Sequence, residues 1–411
     1  MAHALGIPFH NVVCIVARMG GAFGGKESQA APYAAYAALV AQKTGRAARV
    51  VLNKDDDMIA TGKRNPFENE YEVGFDEQGN ILALNAELFS DGGAYADLST
   101  SIMERAMLHI DNAYFIPNLR VSGQVCRTNY HPHTAFRGFG GPKGVATIEK
   151  IIEEIAHVLK KDPLDIRVIN CYGISGERNF THYGQAVENN CLPEIFAALE
   201  KDSNYRARRK EIDHHNEAVV RGEASEFRGL SLTPVKFGIS FTTRFLNQAN
   251  ALVLVHRDGS VQVSTGATEM GQGVNARIAT VVASEFGISR DRVRVMPTRT
   301  DKNANTSPTA ASSGTDLNGA AAVIAARKIK YRLSRLAEQL ERIPEERWAR
   351  KTAALGTEPE VLVDELASDP FGANTGADWE SGVASFFDVH FDEGRVRRGS
   401  LSLSFSELVH E

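Results

Sequence analysis

The spacing of apolar residues changes along this chain, and each change marks an element. Val12-Val13-Cys14-Ile15-Val16 is a short unbroken apolar run that reads as a strand, and Gln29–Lys43 follows with helical spacing. Ala48–Leu52, Tyr71–Phe75 and Ile81–Leu88 are strand-like, with Asp76-Glu77-Gln78-Gly79-Asn80 as a polar hairpin connection between the last two. Val145, Ile148, Ile151, Ile152, Ile155 and Val158 share one face of a helix predicted from Gly144 to Lys161, which Asp162-Pro163 ends. Residues 192–222 are charged and helical. Strand patterns resume at Gly229–Phe241 and Ala251–His256, and Asp258-Gly259 turns the chain into Val261–Ser264. Helices are predicted over Val274–Phe286 and Asn318–Leu340, an irregular polar excursion over 343–381, and a closing hairpin over Phe386–Phe391 and Arg395–Leu403 joined by Asp392-Glu393-Gly394. The fold class is α+β. Two mixed α/β modules, 1–185 and 226–411, are expected on either side of a helical connection, 186–225.

Both ends look interrupted. Ser404 is an N-cap candidate before a helical pattern that stops within two turns, and Met1–Pro8 resembles the tail of a helix. The expectation is a piece of a longer chain.

Composition narrows the partners. At 411 residues with 43% hydrophobic and 24% charged positions the chain is an ordinary globular one, and its net charge of −5 offers no general attraction to nucleic acid or an anionic membrane. The basic cluster Tyr205–Lys210 is followed by Glu211 and Asp213 and reads as a solvated helix face. Cys14, Cys126, Cys171 and Cys191 are far apart, which argues against a zinc ribbon or an iron–sulfur cluster held by this chain alone. Few cysteines, no signal peptide and no apolar stretch of the roughly 20 residues that span a bilayer lead to the expectation of a soluble cytoplasmic protein.

The chemistry concentrates in loops. Gly20-Gly21-Ala22-Phe23-Gly24-Gly25-Lys26-Glu27 sits between the first strand pattern and the first long helix, where bare backbone N–H groups can approach an anionic ligand. Three further segments share that character: Ala135-Phe136-Arg137-Gly138-Phe139-Gly140-Gly141-Pro142-Lys143-Gly144, Gly266–Gly273 and Ser307–Asp316. Each precedes a helix, and together they suit one extended ligand rich in donors and acceptors with a phosphate at one end. They do not fit a P-loop, because Glu27 follows Gly25-Lys26 where Ser or Thr is needed, and none contains Gly-x-Gly-x-x-Gly.

These motifs, with Ser101-Ile102-Met103-Glu104-Arg105-Ala106, Lys236–Thr242 and Asn305–Ser312, resemble the molybdopterin-binding region of the xanthine dehydrogenase and aldehyde oxidase family over about Leu5 to Asn318. The resemblance implies a molybdenum–molybdopterin cofactor lying between the two modules. It also implies hydroxylation with water as the oxygen source, and electrons leaving through 2Fe-2S clusters and FAD on a partner subunit or missing region to NAD. A hetero-oligomer is expected. By position in the family, Phe23, Gly24 and Arg137 approach the molybdenum without supplying side-chain ligands. Phe136 and Arg137, with Met270, Gly271, Gln272, Thr309, Ala310, Ala311 and Ser312, hold the pterin and its phosphate.

Glu27 and Arg105 select a purine substrate, xanthine or hypoxanthine, since a carboxyl group and a guanidinium on opposite edges stabilise charge that develops on the ring. Phe139 and Phe241 sandwich the ring, and Thr242 adds a polar contact. An aldehyde or other heterocycle oxidase, and a truncated inactive cofactor-binding fragment, are the alternatives.

The sequence departs from the family pattern in two places. Lys143 stands where the family usually has glutamine, and a cation there faces either a phosphate or solvent. The family's catalytic glutamate, in a Gly-Glu-Pro motif far downstream, has no counterpart here; Gly356-Thr357-Glu358-Pro359 has the wrong spacing, so no catalytic residue is assigned within the chain.

Overall fold

The computed structural model describes residues 1–173, 176–303, 306–341, 389–399 and 401–410. The polar excursion, Phe386–Asp388, Gly356–Pro359 and Asn305 lie outside them. In chain order the elements are α1 (Ala2–Leu5), β1 (Ile15–Val16), α2 (Ala30–Thr44), α3 (Lys54–Ala60), β2 (Phe67–Phe75), β3 (Ile81–Gly93), α4 (Ser99–Met107), β4 (Leu119–Arg127), α5 (Gly141–Leu159), α6 (Pro163–Asn170), α7 (Leu192–Asp202) and α8 (Tyr205–Val220). They continue with β5 (Ala251–Val255), β6 (Val261–Thr265), α9 (Val274–Phe286), β7 (Val293–Val295), β8 (Thr298–Arg299), α10 (Gly314–Glu341), β9 (His390–Asp392), β10 (Arg395–Arg398), β11 (Leu401–Ser404) and α11 (Phe405–His410). The chain forms two compact units: Phe23–Gly238 with Met1 and His3–Leu5, and Ile239–Glu411 with Ala2 and Gly6–Ala22.

The first unit is built on a sheet of order β2-β3-β4, antiparallel between β2 and β3 and parallel between β3 and β4. Alternation along β3 turns Leu84, Ala86 and Leu88 to the core, Ile81 joins them beyond a register shift, and they meet Ile148, Ile151, Ile152 and Ile155 of α5. Full burial of such an aliphatic side chain contributes about 1.5–3 kcal/mol, so this one helix face anchors the unit. Phe196 of α7 and Tyr205 of α8 join the same core. On its polar side, buried Arg167 bridges from α6 to Glu149 at 2.9 Å and Glu153 at 2.6 Å on α5.

In the second unit the sheet order is β5-β6-β7, again an antiparallel pair followed by a parallel one. Val253, Val261 and Val263 pack on Ile278, Val282 and Phe286 of α9 and on Ala322 and Ala326 of α10. Both units therefore repeat one topology: a hairpin, a helix, and a third strand parallel to the second. β9, β10 and β11 form a small meander, and α11 follows it with a capping box, in which Glu407 N–H donates to Ser404 Oγ and Ser404 N–H to Glu407 Oε2.

Three expected strands are corrected. Val12–Val16 contributes only Ile15 and Val16, paired with β8. Ala48–Leu52 makes no ladder among the described residues, and its Val50 and Val51 are exposed; an apolar run becomes a strand only where a neighbour satisfies its backbone. Gly229–Phe241 makes no ladder, because side chains take its polar groups: Arg209 donates to Leu230 O, and Asn112 donates to Pro234 O and accepts from Lys236 N–H. No described helix is long and apolar enough to cross a membrane.

Candidate functional site

The second and third glycine loops follow strands of the parallel pairs, β4 and β6. In open α/β sheets that is where connections leave room for a ligand. The Phe136–Gly144 loop follows β4, Gly266–Gly273 follows β6, and the Ser307–Asp316 segment comes after β7 and β8.

Phe23, Gly24, Glu27, Arg105, Phe136, Arg137 and Phe139 belong to the first unit. Gly24 has a φ of +110°, and a Cβ there would stand 2.8 Å from the Ala135 carbonyl carbon, so only glycine lets the first loop lie against the second. Phe23, itself left-handed, carries the Arg137 guanidinium over its ring at 5.1 Å. Arg64 does the same to Phe136 at 4.4 Å and donates to Arg137 O at 2.7 Å.

Glu27 is accessible at the surface, yet the surrounding chain crowds its carboxyl. Desolvation, then the negative charge of Asp97, pushes it up to about 7. Asp97 is itself held by Ser28 Oγ at 2.9 Å and by buried Gln29 at 3.1 Å.

Arg105 is 7% exposed, and its Nη1 donates to Gly238 O at 2.7 Å. Four residues later, in the turn that follows α4, His109 accepts from Gly238 N–H at 3.0 Å. The two side chains thus take both polar groups of one glycine backbone. Burial, with the Arg105 and Lys236 cations adding, holds His109 down to about 4, so the ring is neutral and can accept.

The approach of α4 to α5 that sets this clamp depends on glycine. A Cβ at Gly140 would overlap the Ile102 carbonyl oxygen, and one at Gly144 would overlap that of Ala106. Lys143 does not face open solvent. It is 7% exposed and donates from Nζ to Phe139 O.

Phe241, Thr242, Met270, Gly271, Gln272 and Thr309–Ser312 belong to the second unit. Thr309 Oγ1 accepts from Thr268 N–H at 2.9 Å, which joins the third loop to the fourth. Ala311 and Ser312 are both left-handed, with φ of 56° and 57°, and Ala311 O accepts from Ser240 N–H at 2.8 Å. Asn247 bridges both backbone groups of Phe241, accepting from its N–H at 2.8 Å and donating to its O at 2.9 Å.

Within the third loop, Glu269 accepts from Gly271 N–H at 2.9 Å, Gly273 N–H at 3.0 Å and Asn275 N–H at 3.1 Å. Those bonds outweigh the desolvation of its carboxyl and hold it below the usual range. Glu269, Asn247, His109 and Gln29 are absent from the set read off the sequence. Glu269 alone left a signal there, as an acid just ahead of a helix N-terminus.

Two models of a molybdopterin cofactor-binding domain match the chain, over residues 1–171 and 198–402. The chain belongs to the molybdopterin cofactor-binding domain family. It is 43% identical to xanthine dehydrogenase of Oryza sativa subsp. japonica over 340 residues, 82% of this chain and 24% of that protein. To xanthine dehydrogenase/oxidase of Rattus norvegicus it is 42% identical over 348 residues, 85% of this chain and 26% of that one. The chain thus spans about a quarter of the length of these curated relatives. In structure it is similar to quinoline 2-oxidoreductase of Pseudomonas putida 86, with a TM-score of 0.77 at 22% identity, over all of this chain and 48% of that one.

The second unit suits a group as rich in donors and acceptors as molybdopterin. Ser307 Oγ, Asn275 Oδ1 and Asn318 Oδ1 are buried without a hydrogen-bond partner among the described residues, and all three lie on the fourth loop or in the first turns of α9 and α10. At Gly271 a Cβ would meet nothing within 4 Å, so there is room beside the loop for an incoming group.

Proposed function

We propose that this chain is the molybdopterin-binding portion of a xanthine dehydrogenase that hydroxylates hypoxanthine and xanthine, with electrons passing to 2Fe-2S clusters, FAD and NAD held elsewhere in the enzyme. The observation that carries the reading is the pair Glu27 and Arg105. A carboxyl group brought near neutrality and a buried guanidinium on a fixed backbone clamp suit a ring with polar edges better than they suit an aldehyde. Molybdenum on the pterin, when bound, supplies the two-electron oxidation. Loops 266–273 and 307–316 hold the pterin and its phosphate, and Phe23, Gly24 and Arg137 border the metal.

At about pH 7 Glu27 exchanges readily between acid and carboxylate, so it can donate to or accept from a ring nitrogen or oxygen. Arg105 remains charged and opposes negative charge on the other edge. The rings of Phe139 and Phe241 bind the flat faces, and Thr242 adds a polar contact.

The test uses the full-length enzyme that contains this chain, reconstituted with molybdopterin and its redox partners, and measures dye reduction. Xanthine is expected to exceed benzaldehyde in kcat/KM by at least about tenfold, with Glu27→Gln and Arg105→Met each lowering the xanthine value about a hundredfold. A preference for the aldehyde would sink the purine reading.

A further inference from the structure

We propose that Lys143 is a positioning residue, whose side chain fixes the Phe136–Gly141 turn and with it the ring of Phe139. The inference rests on the reading of Phe139 as a substrate-facing ring only for its consequence, not for the coupling itself. Phe139 has a φ of 58°, a left-handed conformation that is strained for a non-glycine residue and persists where its surroundings over-determine it. Two backbone bonds of the turn contribute, Phe139 N–H to Phe136 O at 2.7 Å and Gly141 N–H to Gly138 O at 2.9 Å. Neither occupies the Phe139 carbonyl. Lys143, four residues on and in the first turn of α5, reaches back to that oxygen.

The lysine has no other evident task. Among the described residues no carboxylate pairs with it. The groups around it are the Phe67 ring of β2, 5.6 Å from Nζ, and the Arg64 cation from the segment leading into β2. Arg105 of α4 and His109, just beyond its end, are turned toward Gly238. Burial, reinforced by Arg64, lowers the Lys143 ammonium to about 7. An amine donates a hydrogen bond in either protonation state, but below neutrality the turn must also hold a buried cation beside the partly exposed one of Arg64. The turn should therefore respond to pH where solvated lysines do not.

The experiment places 4-fluorophenylalanine at position 139 of the 411-residue chain and follows its fluorine resonance from about pH 6 to about pH 9. The expected result is one narrow line whose shift titrates with a midpoint near pH 7. Lys143→Met should abolish the titration and broaden the line. Lys143→Gln, which keeps a donor without the charge, should stay narrow and lose the titration. A wild-type line that does not move over this range overturns the proposal, as does a K143M spectrum that superimposes on wild type at the alkaline end. Should K143M not fold, K143Q decides alone, and a line that still titrates in it refutes the assignment. Adding xanthine to the full-length, molybdopterin-loaded enzyme carrying the same label separates the two readings. A lysine-dependent titration with no response to xanthine supports the coupling and counts against the substrate role of Phe139.

Discussion

Gly140→Ala is the sharpest test of how α4 and α5 create the Arg105 position. The new methyl group would overlap the Ile102 carbonyl oxygen, crowd the Ala106 nitrogen and stand 2.9 Å from the Arg105 carbonyl carbon. All three are backbone atoms of α4, so no side chain can rotate away. The helix itself must move by about 1 Å or more, in an interior too densely packed to absorb the shift. Overpacking of this kind costs about 3 kcal/mol, the upper end of its usual range.

Movement of α4 also carries Arg105 and His109 away from Gly238, so the cost is felt at the clamp. Because the chain has two units, a single unfolding midpoint would blur the effect. Amide hydrogen exchange resolves it. A loss of about 3 kcal/mol speeds exchange in α4 and α5 by about a hundredfold where their amides open together, while α9 and α10 keep wild-type rates. Gly20→Ala serves as the control, since a Cβ there meets nothing within 4 Å. Equal protection of α4 in G140A and G20A would show that the helices do not approach as described.

Two other predictions follow from the charges. The folded-state pKa of Glu27 is raised from 4.5 to about 7, so the folded chain binds more protons than the unfolded chain in that window, and the stability Glu27 confers is lost as pH rises through it. Glu27→Gln should match wild type below about pH 4.5 and exceed it above about pH 7, as read by denaturant titration; parallel curves at both ends would refute the shift. Glu269→Ala removes an acceptor for three backbone N–H groups and should cost about 2 kcal/mol, seen as faster exchange at Gly271, Gly273 and Asn275. Unchanged exchange there would mean that Glu269 is not the cap.

The legible elements were those whose stabilising contacts are local or periodic. Helix α9 runs from Val274 to Phe286 as its spacing required, bracketed by left-handed Gly273 and Gly287. The α5 face was written in its isoleucines, and the α11 cap in Ser404 and Glu407. The strand expected at Gly229–Phe241 failed because its partners are single side chains more than a hundred positions away, such as Asn112 and His109. No local pattern encodes them. At the site, the motifs located the loops, but the sequence could not tell which charges address a ligand and which hold the loop itself. Lys143 and Glu269 both proved to bond backbone atoms of their own loop. Arg105 has its Nη1 on the backbone of Gly238.

That distribution of charge follows from the repeated topology. In each unit the second strand of the hairpin leads into a helix through a connection at the carboxyl end of the sheet, where backbone N–H groups gather without ladder partners. Each connection carries one acid that binds nearby donors. Asp97 accepts from Ser28 and Gln29 in the first unit, and Glu269 accepts from three backbone amides in the second. Left unbound, those donors would cost free energy in every molecule that lacked a ligand. Satisfied, they hold the loops in one shape, and recognition passes to groups that remain open, such as the buried oxygens of Ser307, Asn275 and Asn318. Charge at these loops therefore serves preorganisation first. A substitution that removes one of the acids should loosen the loop whether or not a ligand is present.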